Sequence, residues 1–106
     1  MVILIETWLS SGISSSEIFN EREWLVLRCD RCDTGDARRG GGVLIAIKLS
    51  LTATSMDFNN DNCIEQIWAA VKMPDKYMHI GAVYLPPGSA DLAYDQMCQT
   101  AESIIF

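Results

Sequence analysis

Few side chains in this 106-residue chain have the types and spacing that chemistry needs. Glu6 ends the apolar run Val2-Ile3-Leu4-Ile5 and is followed by Thr7 and Trp8. A carboxylate at the end of a buried central strand stands where open α/β sheets gather their ligands. Mg2+ is held by one or two such carboxylates together with water and substrate phosphate. Cys29 and Cys32 have C-x-x-C spacing, but no second close pair follows. Residues three apart on a strand face opposite ways, so the four cysteines are expected as unpaired thiols. His79 is the single histidine, mid-strand between Met78 and Ile80. With no nucleophile or orienting carboxylate in its motif, it is expected as a strand-surface side chain. Gly40-Gly41-Gly42 follows Arg38-Arg39 but lacks the Lys-Ser or Lys-Thr of a phosphate loop, and it opens a strand instead of a helix. These glycines are therefore read as supplying positive φ and close backbone approach. Asp57, Asn59 and Asp61 alternate like calcium ligands, but Asn62 replaces the turn glycine and Trp68 stands at the twelfth position, so this stretch is a loop.

Composition narrows the function classes. Apolar residues make up 49% of the chain, which excludes a disordered segment. Lys and Arg total 8 against 14 Asp and Glu, a net charge of −6. An acidic balance counts against a general grip on nucleic acid, because phosphate binding favours a basic surface. No apolar stretch approaches the ~18 residues of a membrane span. The N-terminal run has no basic segment before it and is cut by Glu6, so it is not expected to act as a signal peptide. The chain is predicted to be intracellular, nuclear or cytoplasmic.

The elements that must position these groups are short. Residues 2–5 read as a buried strand, and Ser14 and Glu17 have capping-box spacing for one helical turn carrying Ile18 and Phe19 inward. Strands are expected at 24–29, 43–48, 64–73 and 77–85, with a loop at 30–42 and a polar, irregular stretch at 52–62. A Pro-led turn lies at 74–76, and Pro86-Pro87-Gly88 stops the last strand. Ala93, Met97, Ala101 and Ile104 then recur at helical spacing, with Ser89 or Asp91 as cap. Five strands and one helix predict an α/β or α+β domain over 1–106, a mixed sheet with the helix on one face.

The order of several blocks carries more information than any one of them. Ile5-Glu6-Thr7-Trp8-Leu9 precedes Arg28-Cys29-Asp30-Arg31, then Gly40-Gly41-Gly42-Val43-Leu44-Ile45-Ala46, Glu65-Gln66-Ile67-Trp68, and Ile80-Gly81-Ala82-Val83-Tyr84-Leu85-Pro86-Pro87. This series resembles the endonuclease domain of non-LTR retrotransposon polyproteins, in the endonuclease/exonuclease/phosphatase superfamily, over nearly the whole chain. The resemblance implies a four-layer α/β sandwich and Mg2+-dependent cleavage of phosphodiester bonds in DNA. It implies that Glu6 is the metal-binding glutamate and Tyr84 the active-site tyrosine whose hydroxyl faces the scissile phosphate. Arg28, Arg31, Arg38 and Arg39 are candidate contacts to a phosphate backbone, but Asp30, Asp33 and Asp36 dilute them, which favours a solvated loop instead.

The family pattern also has parts without counterpart here. Its early asparagine strand, its glycine-aspartate-phenylalanine-asparagine strand end and its late aspartate-histidine pair are not among the 106 residues. Asp57-Phe58-Asn59 precedes the tyrosine block instead of following it, and Met56 stands where glycine belongs. The expectation is an incomplete domain that does not cleave DNA alone. A competing expectation is a non-catalytic interaction fragment that associates through exposed sheet edges.

Overall fold

A computed structural model describes residues 1–31, 40–56, 64–85, 88 and 91–105, residue 105 by its backbone only. The described residues form strands β1 (Val2–Ile5), β2 (Trp24–Cys29), β3 (Val43–Lys48), β4 (Ala53–Ser55), β5 (Glu65–Lys72) and β6 (Tyr77–Tyr84), and a helix α1 (Asp91–Ile105). A 3-10 turn at Ser15–Glu17 follows Ser14, whose backbone N–H donates to Glu17 Oε2 at 2.7 Å, as the capping-box spacing predicted. Phe19 tucks against Trp24, ring centroids 5.4 Å apart, whereas Ile18 stays exposed, contrary to expectation.

The strands build two antiparallel three-stranded sheets, in the orders β1-β3-β2 and β4-β5-β6. All of these pairings are antiparallel, where the sequence suggested a mixed sheet. Tight connections favour antiparallel neighbours, as where Met73 N–H donates to Lys76 O at 2.7 Å in the turn between β5 and β6. The reading of 52–62 is also corrected, since β4 pairs Ala53, Thr54 and Ser55 with Val71, Ala70 and Ala69. Three residues are too few to show a period, and β5 supplies the pairing.

The sheets pack face to face. Alternate residues Val43, Ile45 and Ile47 of β3 meet Ile67, Ala69 and Val71 of β5 and Ala82 of β6 in one cluster. Central strand β3 is buried on both sides from Val43 to Ile47, and β5 from Glu65 to Val71. β1, expected to be buried and central, instead lies at a sheet edge with Ile3, Leu4 and Ile5 40–46% exposed. A four-residue apolar run fits either position, and the longer β3 takes the centre.

α1 packs against β6. Thr100 is buried in the helix, and Ala93, Met97, Ala101 and Ile104 are half-buried beside it, so the helical stripe read from sequence is the face that packs. Asp91 lies in the first turn, and Ser89 is outside the described residues.

Candidate functional site

Glu6 and Tyr84 meet. The Tyr84 hydroxyl donates a hydrogen bond to Glu6 Oε1 at 3.1 Å, across 78 residues of sequence. Glu6 follows the last residue of β1 and Tyr84 is the last residue of β6, so the pair joins an edge of one sheet to an edge of the other. Glu6 is exposed and Tyr84 half-buried.

The backbone beneath them is unusual. Glu6 has φ 56° and Trp8 φ 57°, a left-handed conformation costing a non-glycine residue about 1–2 kcal/mol. Between them Thr7 N–H donates to Gly42 O at 3.3 Å, and Trp8 N–H donates to Gly41 O at 2.9 Å. Gly41 (φ 63°) and Gly42 (φ 90°) accept these bonds from positions no other residue would fill easily. A Cβ on Gly42 would fall 2.5 Å from Thr7 Oγ1, and one on Gly41 would overlap the Glu65 carboxylate and the Arg31 guanidinium. The glycine run thus does what its sequence suggested, giving positive φ and close approach.

Two charged side chains fill the space those glycines leave. Glu65 is buried in β5, where it pairs directly with Tyr84 of β6. Its Oε1 accepts from Gly42 N–H at 2.7 Å and lies 3.5 Å from Arg31 Nε. The Arg31 guanidinium stands 6.0 Å from the centroid of the Tyr84 ring, within cation–π range. Desolvation pushes the Tyr84 phenol above its ordinary value of 10.0. The hydrogen bond to Glu6, the Glu6 charge and the Glu65 charge push the same way, and Arg31 opposes them. The phenol therefore stays protonated at neutral pH, as a donor aimed at a carboxylate.

Arg28 and Arg31, named from sequence as weak candidates for phosphate contact, make contacts within the protein. Arg28 binds Asp30 through two nitrogens at 2.6 and 3.1 Å and reaches Ile13 O at 2.7 Å and Ser10 O at 2.8 Å. It thereby staples the loop before the 3-10 turn to β2. The side chains of Arg28 and Arg31 are only 15% and 13% exposed. Arg38, Arg39, Cys32, Cys63 and the Asp57-Phe58-Asn59 stretch lie outside the described residues. His79 is half-buried opposite Ala70 and, five residues before Tyr84, faces the other side of β6. Cys29 is half-buried in β2 and Cys98 is exposed on α1.

Glu65 had no role assigned from sequence beyond its place in the ordered blocks. A carboxylate opens the largely apolar strand EQIWAAVK, but only the fold shows its partners. As a metal centre the described residues are sparse: no three His, Cys, Asp or Glu side chains gather to hold an ion. Glu65 is occupied by Arg31 and Gly42, and Glu6 offers one hard oxygen ligand. A single carboxylate does not make a protein cage for a divalent ion, so the described residues alone do not form a metal centre. No family model, no curated protein and no solved structure matches this chain.

Proposed function

We propose that this chain carries the glutamate–tyrosine part of a magnesium-dependent phosphodiesterase site, of the kind used by the endonuclease domains of non-LTR retrotransposon polyproteins on DNA. The observation that carries the reading is the 3.1 Å hydrogen bond from Tyr84 to Glu6. The two residues that the resemblance assigns to one site sit side by side, although nothing in their sequence spacing requires it. The same reading makes the two packed sheets the inner layers of a four-layer sandwich and α1 part of an outer layer.

In this site Glu6 would hold Mg2+, which when bound polarises a phosphate oxygen and offsets charge on the departing oxygen. Tyr84 contributes its protonated hydroxyl, a donor that can turn from Glu6 to a phosphate oxygen entering the same space. Its place at the end of β6 fixes that donor on a rigid strand. The motifs that the resemblance assigns to water activation are not among the 106 residues, so the polypeptide is expected to leave supercoiled plasmid uncut in Mg2+.

Binding is the sharper test. Mn2+ at neutral pH should broaden the nuclear magnetic resonance signals of the Glu6 and Thr7 amides and the Tyr84 ring. Excess Mg2+ should reverse the broadening, and Glu6→Gln should abolish it. Broadening elsewhere with these signals untouched would refute the reading. A second reading, a non-catalytic fragment that self-associates, is favoured by one observation: β1 is a sheet edge with Ile3, Leu4 and Ile5 exposed.

A further inference from the structure

We propose that Glu65, acting with Arg31, is the positioning residue that aims Tyr84 and Glu6 at each other. This rests on the site proposed above and adds to it a residue that touches neither substrate nor metal. The geometry runs in two arms from one carboxylate.

The first arm leads to Glu6. Glu65 Oε1 takes the Gly42 N–H at 2.7 Å, and the carbonyl of the same glycine takes the Thr7 N–H at 3.3 Å. Gly41 repeats the link by accepting from Trp8 N–H at 2.9 Å. Thr7 is thus pinned between two residues in left-handed conformation, one of them Glu6. Such a conformation persists only where its surroundings over-determine it. A buried carboxylate gripping the glycine backbone supplies that constraint.

The second arm leads to Tyr84. Glu65 and Tyr84 are direct cross-strand partners on β5 and β6, so their side chains share a sheet face. The Arg31 guanidinium bridges the two, 3.5 Å from the Glu65 carboxylate and 6.0 Å from the Tyr84 ring centroid. Ring and carboxylate are thereby held against one cation. Burial makes the arrangement demanding: Glu65 is 7% exposed, and a buried carboxylate is tolerated only when paired and hydrogen-bonded.

The test reads the Tyr84–Glu6 contact without metal or DNA. The Cζ signal of isotope-labelled tyrosine, assigned with Tyr84→Phe, reports the phenol hydrogen bond at neutral pH. Glu6→Gln should move that signal in the otherwise unchanged protein. In the Glu65→Gln background the signal should already be displaced, and adding Glu6→Gln should move it by less than half as much. Arg31→Lys keeps the positive charge but loses the flat group over the ring. It should shrink the Glu6→Gln effect as well, and it decides the matter if Glu65→Gln does not fold. An undiminished Glu6→Gln effect in a folded Glu65→Gln protein, or in Arg31→Lys where that is the variant that folds, would overturn the positioning role. That failure is distinct from failure of the proposed function, which is read by Mn2+ broadening in the unmutated protein.

Discussion

At Glu6 one exposed carboxylate accepts from one half-buried phenol, so each should report on the other. Replacing Glu6 by Gln removes its charge and weakens the acceptor, two of the influences that raise Tyr84. The Tyr84 titration midpoint is therefore expected to fall toward 10.0, read by ultraviolet absorbance against Tyr84→Phe. Linkage sets the sign for stability. A phenol whose midpoint is raised on folding contributes in full below its unfolded value, and the contribution is lost as pH rises through the folded midpoint. The unmutated protein should thus lose stability above pH 10.0 more steeply than Tyr84→Phe, as chemical denaturation at a series of pH values would show. Glu6 stood out only through the ordered blocks of the resemblance, because by residue type alone it reads as a solvated strand-end glutamate. Glu65 was not legible, because a glutamate opening a strand reads the same whether it faces water or a buried arginine.

At the scale of the element, strand edges and close approaches decide behaviour. Gly81 of β6 lies against the Trp68 ring of β5, its direct cross-strand partner, and a Cβ there would fall 2.6 Å from Trp68 Cε3. Gly81→Ala is expected to cost about 1–3 kcal/mol by overpacking, measured by urea unfolding. β1 presents Leu4 at 40% exposure on the edge of its sheet among the described residues. Leu4→Lys should lose no more than about 1 kcal/mol of burial while discouraging edge-to-edge pairing. Sedimentation should show less self-association than in the unmutated chain, and equal association would exclude β1 as the contact. Element type was readable wherever length allowed: the predicted strands at 24–29 and 43–48 match β2 and β3 residue for residue. β4 was missed because three residues draw their pairing from a neighbour and not from a pattern of their own.

At the scale of the whole molecule the chain is a slab, 39 × 35 × 19 Å, whose cohesion depends on the layer between the two sheets. Ile45, fully buried at the middle of β3, is the side chain whose loss should be felt most widely. Ile45→Ala is expected to cost about 2–5 kcal/mol, a large part of the roughly 5–15 kcal/mol that holds a domain folded. Circular dichroism during denaturant unfolding would measure it. Among the described residues no helix is long and apolar enough to cross a membrane, in line with the absence of such a run in the sequence. By itself the sequence determined five of the six strands and the helix, where the glycines must stand, and that a carboxylate closes the first apolar run, because local sterics, periodicity and burial are written into neighbouring residues. Only the tertiary structure decided that β1 is an edge, that the sheet divides into two, and that Tyr84, Glu6, Arg31 and Glu65 converge. Those outcomes depend on which strand claims the centre of each sheet, a competition between contacts as far apart in sequence as residues 6 and 84 that no local pattern encodes.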